Sequence, residues 1–517
     1  MKLILSLGFL AFSLILASST LTKSEEAKPN IVFILVDDMG YGDLSCLNEN
    51  GKIPTPNIDR IAKSGVKFTD AHSSSAVCTP TRYGILTGRY NWRSALKQGV
   101  LGGFSKPLIP SGRTTMASML KDRGYQTGAI GKWHLGLDWA SINQIADSVD
   151  YTKPIENGPT TLGFDYFFGI SASLDMPPYV YIENDRVTKI PDRITKGNNI
   201  MVGSPGSDGS YWREGLTGSD FIHQDCLPRM ISHSIKFIEE KSLSEKPYFL
   251  YLALPAPHTP ILPSKEFRGK SGLNSYADFV MMVDSKVGEV LDAIERSGEN
   301  KNTMVVFASD NGCSPWADFP ALIAKGHNPS YIFRGTKADL YDGGHRIPCL
   351  VQWPARIRGH QTVSQTICLN DFMRTFAEIT NYQLNDNEAE DSYNILPAIL
   401  NPADKKIIRE AIVSHSINGS FTIRQGDWKL LLSAGSGGWS SPTPGKEEEG
   451  FPPVQLYNLK DDPSEKENLQ AKSPQVVQRL TALLKKYIVE GRSTPGKPQK
   501  NDAEYPLKKN NLKGIIK

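Results

Sequence analysis

Ile31-Val32-Phe33-Ile34-Leu35-Val36-Asp37-Asp38 is the stretch whose reading decides the fold. Six consecutive apolar residues with no polar alternation, ended by two aspartates, read as a strand covered on both faces, as in a parallel sheet between helices. Runs of the same texture recur at Gln126 to Ile130, Tyr248 to Leu254 and Met304 to Ala308, each bounded by Gly, Pro, Asp or Asn. Amphipathic spacing predicts helices at Asn57 to Ser64, Thr114 to Arg123, Leu227 to Lys241 and Ser275 to Ser297, with Gly124 and Gly298 as stop signals. The alternation from Asn30 to about Tyr382 therefore predicts an α/β fold, a large mostly parallel sheet sandwiched by helices.

Outward from that core the texture changes. Residues 140 to 220 are rich in Pro, Gly and aromatics and are expected to be long loops over the sheet. Beyond Tyr382 an acidic, Asn-rich link precedes strand-like Ala411 to His415, Phe421 to Arg424 and Trp428 to Leu432, which predict a smaller antiparallel sheet. Ser433 to Gly450 reads as a flexible loop, and Pro474 to Glu490 as a closing helix. Its Gly435, Gly437, Gly438 cluster does not follow a strand and open a helix, so it is no dinucleotide fingerprint.

A chain of 517 residues with 39% hydrophobic and 22% charged content is globular and too long for one ordinary domain. The net charge is +3, but residues 497 to 517 hold six Lys against Asp502 and Glu504, a local +4 that leaves −1 elsewhere. A broad nucleic-acid-binding surface is thus disfavoured, and the basic end is expected to be a solvated tail. Lys2, the apolar run Leu3 to Ala17 and the small polar Ser18 to Thr20 have the layout of a secretory signal too short to span a bilayer. No lipid anchor and no membrane span are expected, and the mature protein is expected to be exported, periplasmic or secreted. The six cysteines, Cys46, Cys78, Cys226, Cys313, Cys349 and Cys368, permit disulfides there; with Cys78 reserved for chemistry, at most two bridges remain.

In open α/β sheets ligands sit beyond the carboxyl ends of the strands. Here those ends deliver Asp37-Asp38, Gly131-Lys132-Trp133-His134, Pro257-His258-Thr259-Pro260 and Asp310-Asn311. Singly, each has an ordinary structural role: Asp38 as a helix cap, Asn311-Gly312 as a turn, His134 as a core histidine. Together they crowd Asp37, Asp38 and Asp310 at one place, which is costly without a cation. All-oxygen ligation suits Ca²⁺ or Mg²⁺ rather than zinc.

The most specific stretch is Ala76-Val77-Cys78-Thr79-Pro80-Thr81-Arg82-Tyr83-Gly84-Ile85-Leu86-Thr87-Gly88-Arg89. Thr79 as cap and Pro80 as opening residue would put Cys78 just before the positive end of a helix and Arg82 in its first turn, where a nucleophile and an oxyanion are both stabilised. A half-cystine beside a surface helix is the alternative these residues leave open.

Cys78-x-Pro80-x-Arg82 followed by Leu86-Thr87-Gly88-Arg89 resembles the signature of the type I, formylglycine-dependent sulfatases of the alkaline phosphatase superfamily. Asp37 to Asp43, Pro54 to Asp59, Gly131 to Gly136, His258-Thr259-Pro260, Ser309 to Gly312, Gly335-Thr336-Lys337, Gly343 to Arg346 and Gly426 to Lys429 resemble further family blocks in the family's order. The resemblance implies an alkaline phosphatase-like fold with a smaller C-terminal antiparallel sheet and closing helix. The implied division is a signal peptide at 1–20, a catalytic domain at 29–384, a C-terminal α+β subdomain at 385–496 and a basic tail at 497–517.

It further implies that Cys78 is converted to formylglycine by a formylglycine-generating or anaerobic maturation enzyme. The hydrated aldehyde, held on Ca²⁺ with Asp37, Asp38, Asp310 and Asn311 as ligands, then attacks the sulfur of the ester. Similarity gives Asp310 nucleophile activation, Arg82 the hydrate, Lys132 and Lys337 the sulfate oxygens, His258 the general acid and His134 the base that lets the sulfate leave. Asp342 stands where many relatives have Glu, and Ser173 aligns loosely with a sulfate-contacting serine.

For the alcohol part of the substrate, Trp92-Arg93, Asp175 to Tyr181, Trp212-Arg213, Trp316 and His345-Arg346 offer aromatic faces and polar ends suited to a sugar, or else ordinary loop packing. The substrate-contact set so expected is Ser173, Asp175, Trp212, Arg213, His345 and Arg346. The expected activity is exo-acting hydrolysis of a sulfated carbohydrate, with a 6-sulfated hexosamine or galactose unit of a polysaccharide as the expected substrate. A phosphoester or phosphonate hydrolase of the same superfamily and a secreted, non-catalytic glycan-binding protein are the alternatives.

Overall fold

A computed structural model describes residues 28–142, 148–200 and 210–503. The expected signal at 1–20 and the tail beyond residue 503 lie outside the described residues. Strand Asn30–Asp37 is buried along its whole length. Its side chains alternate between two cores: Ile31, Phe33 and Leu35 pack in one, Val32, Ile34 and Val36 in the other. That two-sided burial is why the run carries no polar alternation. Cutting Phe33 back to Ala would remove a fully buried ring from the first core at about 3–5 kcal/mol.

Asn30–Asp37 pairs in parallel with Tyr248–Pro257 on one side and Thr303–Ser309 on the other, and Gln126–Lys132 continues the parallel set beyond Tyr248–Pro257. These are the four runs read from the sequence, now adjacent in one ten-stranded sheet. Helices Cys78–Thr87, Met116–Asp122 and Asp371–Ile379 supply the first core; Ile58–Ser64, Cys226–Lys241 and Ser275–Arg296 supply the second. Helix Ser275–Arg296 begins where the Asn274 side chain accepts from Ala277 N and stops before Gly298 at φ 77°. Helix Ile58–Ser64 is capped from elsewhere, since Asp284 accepts from Ile58 N at 2.8 Å.

Several expectations are corrected. Residues 140–220 are not only loops: Tyr166–Ile170 joins the main sheet in parallel beside Gln126–Lys132, and Ile182–Glu183 and Arg186–Val187 extend it antiparallel. Toward the other edge Cys349–Gln352 runs antiparallel between Thr303–Ser309 and Gly65–Phe68, strands too short to announce themselves by pattern. All six cysteines are free thiols, so no disulfide staples the fold.

The C-terminal unit is a four-stranded antiparallel sheet, Ile412–His415, Phe421–Gln425, Trp428–Leu431 and Gln455–Asn458, closed by helix Pro474–Val489. Trp92 and Arg93 belong to its interface with the main domain rather than to a sugar site. Trp92 is fully buried and stacks on Tyr90, while Arg93 binds both oxygens of Asp391 at 2.8 Å. The first residues of the basic tail are docked as well, with Arg89 holding Asp502 at 2.7 Å and the carbonyl of Lys500. No helix among the described residues is long and apolar enough to cross a membrane.

Candidate active site

The carboxyl ends of the central strands converge as the topology requires. Asp38 turns away from its strand in the left-handed region at φ 66°, and the turn is held from below: Asp43 accepts from Gly40 N at 2.7 Å and from the Tyr276 hydroxyl at 2.5 Å, while His327 lies 2.8 Å from its other oxygen. At the neighbouring strand end Gly131 takes φ 120°, and a Cβ there would lie 1.9 Å from Ala253 O. Only glycine fits this close approach, which sets Lys132 and His134 at the rim.

Helix Cys78–Thr87 starts two residues earlier than Thr79-Pro80 suggested, with Val77 as N-cap, so Cys78 is the first helical residue. Arg82, one turn on, is fully buried. It donates from Nε and Nη2 to Asp310 Oδ2 at 3.1 and 2.8 Å and from Nη1 to Lys132 O at 2.9 Å. Lys132 Nζ donates to Asp37 Oδ2 at 2.5 Å, Lys337 Nζ stands 2.6 Å from Asp38 Oδ1, and Asn311 Nδ2 donates to Asp38 Oδ1 at 2.7 Å.

These contacts set the charges. Burial pushes Asp37 upward, but Lys132, His258, Arg82 and Lys337 together outweigh it and hold the carboxyl well below its ordinary range. Burial and the adjacent Asp37 raise Asp310 to about 6 against the pull of Arg82 and Lys132. Burial lifts the Cys78 thiol above its usual value despite both lysines. His134 is held far below the usual imidazole range by burial and then by Lys132 and Arg82. Its Nε2 faces Leu101 O at 2.6 Å, which leaves Nδ1 buried and without a hydrogen-bond partner.

The donor set fits a hard cation. Asp37 Oδ1 and Asn311 Oδ1 are buried oxygens that make no hydrogen bond, and Asp37, Asp38 and His258 offer ligand atoms within 4.8 Å of one another. Asp310 joins them from Thr303–Ser309, its Oδ1 3.3 Å from Asp38 N. Oxygen donors dominate, as a calcium or magnesium site requires.

A cavity of about 520 Å³ opens onto Cys78, His134, Ser173, His258 and Lys337, and is walled by Asp175, Tyr211, Arg213, Trp316 and Trp439. Ser173 Oγ lies 3.3 Å from both Lys132 Nζ and His258 Nδ1. Asp175 is buried and ion-paired to the exposed Arg213. Three expected substrate contacts lie elsewhere. Trp212 stacks on His223 and donates to Lys196 O, so its indole is used in loop packing. His345 is buried against His72, 3.0 Å between their Nδ1 atoms, and Arg346 binds Asp342 and the Thr69 carbonyl. His72, Asp342 and His345 offer ligand atoms within 4.8 Å of one another, but Lys429 Nζ, at 2.7 Å from Asp342, already supplies the positive charge there. Sequence reasoning missed Asp43, Tyr276 and Trp439; the Asp37 to Asp43 block was visible, but its partners are more than two hundred residues away.

The chain is also similar to known proteins. The sequence profile of the family described as Sulfatase matches residues 29–382. An N-acetylgalactosamine-6-O-sulfatase of Bacteroides thetaiotaomicron is 33% identical over 489 residues, covering 88% of this chain and 92% of its own. Arylsulfatase G of Rattus norvegicus is 28% identical over 480 residues, covering 88% and 85%. A solved Bacteroides thetaiotaomicron structure, from work on the metabolism of multiple glycosaminoglycans, is 33% identical and superposes with a TM-score of 0.77 over 89% of this chain and 99% of that one.

Proposed function

The chain belongs to the sulfatase family and is an enzyme of sulfate ester hydrolysis, and from that premise we propose that it is an exo-acting carbohydrate sulfatase working through a formylglycine at position 78 and a calcium ion. The substrate is a terminal 6-sulfated hexosamine or galactose unit. The name of the 33% identical relative supports the hexosamine, and the polar and aromatic cavity walls support a sugar over an apolar alcohol. The expected signal at 1–20 supports a periplasmic or secreted enzyme, matured by a separate formylglycine-forming enzyme.

The observation that carries the proposal is the meeting of Cys78, Arg82, Lys132, His134, His258 and Lys337 around Asp37, Asp38, Asp310 and Asn311. A thiol raised by burial is a poor nucleophile at neutral pH, which supports conversion of Cys78. When present, the formylglycine hydrate supplies the attacking oxygen, and Ca²⁺, held by Asp37, Asp38, Asp310 and Asn311, supplies Lewis-acid stabilisation.

The chain's own residues do the rest. Lys132 and Lys337 bring buried positive charge to the sulfate oxygens, where negative charge must be stabilised in the transition state. Arg82 fixes Asp310 and the end of Gln126–Lys132 so that neither carboxylate nor ammonium drifts. His258, on the cavity wall, hands a proton to the leaving alkoxide. His134 donates Nε2–H to Leu101 O, so its bare Nδ1 is the atom that accepts a proton; burial, and then the positive charge of Lys132 and Arg82, keeps it neutral for that task.

Matured protein should release sulfate from N-acetylgalactosamine 6-sulfate or galactose 6-sulfate with a much larger kcat/KM than from a small aryl sulfate. An aryl sulfate as the best substrate, with no gain from any sulfated sugar, would overturn the proposal.

A further inference from the structure

We propose that Trp439 is a specificity-determining residue that reads the sugar part of the substrate, and that Asp339 is the positioning residue that holds it in the site. The inference rests on the sulfated-sugar reading above. Residues 433–450 read as a flexible loop in the sequence, yet the first part, 433–438, is largely buried and tied down. Ser433, Gly435, Ser436, Gly437 and Gly438 have little or no exposure, and Gln455 Nε2 donates to the carbonyls of Ser433 and Gly435 at 3.0 and 2.7 Å. Trp439, which follows this buried run directly, is 42% exposed and forms part of the cavity wall with Cys78 and Lys337. A rigid segment that presents a large exposed indole to a buried polar site has the form of a recognition wall, because an indole face covers the apolar face of a pyranose.

The tether is specific. Asp339 Oδ1 accepts from Trp439 N and Ser440 N at 2.8 and 3.0 Å, and Oδ2 accepts from Thr336 N at 2.8 Å and from the Ser440 hydroxyl. Leu340 N donates to Ser436 O at 2.8 Å, and a Cβ on Gly438 would lie 2.3 Å from Ala338 O, so the two segments run in close backbone contact. Asp339 stands two residues from Lys337, whose ammonium is at Asp38. One carboxylate thus joins the wall built by the C-terminal subdomain to the loop that carries a sulfate-binding lysine.

The test uses the full, matured enzyme with N-acetylgalactosamine 6-sulfate and 4-nitrocatechol sulfate as paired substrates. Trp439→Ala should lower the sugar-to-aryl ratio of kcat/KM at least about tenfold, mainly through KM for the sugar. Trp439→Phe should keep the ratio within about threefold, since an aromatic face remains. Asp339→Ala should lower the ratio in the same way and also lower kcat on both substrates. Asp339→Asn, whose amide oxygen can still accept from Trp439 N and Ser440 N, should recover part of it. If Asp339→Ala does not fold, Ser440→Ala should give a smaller loss of the ratio in the same direction. A wild-type ratio in Trp439→Ala overturns the role of Trp439, and a wild-type ratio in the Asp339 and Ser440 variants overturns the tether. Wild-type enzyme that cleaves the aryl ester but no sulfated sugar fails the reading of the substrate itself, and this inference falls with it.

Discussion

Arg82 donates through both Nε and Nη2 to a single oxygen of Asp310, while its third nitrogen holds the carbonyl of Lys132. One guanidinium therefore locks the helix that begins at Cys78 to the ends of two strands. Arg82→Ala leaves Asp310 buried and unpaired and should cost about 3–5 kcal/mol in denaturant unfolding, with loss of sulfate release. Arg82→Lys keeps the charge but not the fork, and should remain nearly inactive. An unchanged unfolding midpoint in Arg82→Ala would contradict this.

The unpartnered Asp37 Oδ1 and Asn311 Oδ1 lead to a metal prediction. Chelation should abolish activity, and Ca²⁺ should restore it better than Zn²⁺. Ca²⁺ should also raise the melting temperature of chelated protein in a concentration-dependent way, a readout independent of turnover. Asp38→Ala should weaken that shift more than Asn311→Ala, which removes a neutral ligand. Full activity in protein shown metal-free by elemental analysis would refute the site.

Gly131→Ala tests how the strand ends are set. Its Cβ would meet the Ala253 carbonyl at 1.9 Å in a backbone held at φ 120°, so Lys132 and His134 would have to move. Destabilisation should exceed about 1 kcal/mol, the usual scale for a glycine exchange at an incompatible φ, and kcat should fall further than stability alone explains. Calorimetry beside steady-state kinetics separates the two effects.

Acid lability should carry a histidine signature. Burial, followed by Lys97, holds His415 neutral down to about 3, whereas its ordinary value is 6.5. Between those values the unfolded chain binds the proton and the folded one does not, so stability falls as pH drops from 6.5 toward 3. The slope is up to about 1.4 kcal/mol per pH unit. His415→Leu should flatten the pH dependence of unfolding in that window, and parallel curves for the two proteins would contradict the assignment.

What the sequence made legible follows from how local each signal is. Asn30–Asp37, Tyr248–Pro257 and Thr303–Ser309 were readable because burial on both faces leaves uninterrupted apolar runs. Cys349–Gln352 was not, since four residues set no period. Asp37, Asp38 and Asp310 stood out because strand ends point to one rim. His345 and Arg346 misled because a polar pair beside glycines looks the same whether it faces a cavity or, as here, His72 and Asp342. Trp439 was invisible because its glycine- and serine-rich surroundings read as flexible, and the carboxylate that fixes them lies a hundred residues earlier.

The most direct test of the account is the mass of the tryptic peptide spanning residues 68–82 from a preparation with measured sulfatase activity. Formylglycine at position 78 predicts a peptide lighter than its cysteine form, bearing an aldehyde that captures a hydrazide reagent. Active enzyme in which Cys78 is wholly an unmodified thiol would contradict it.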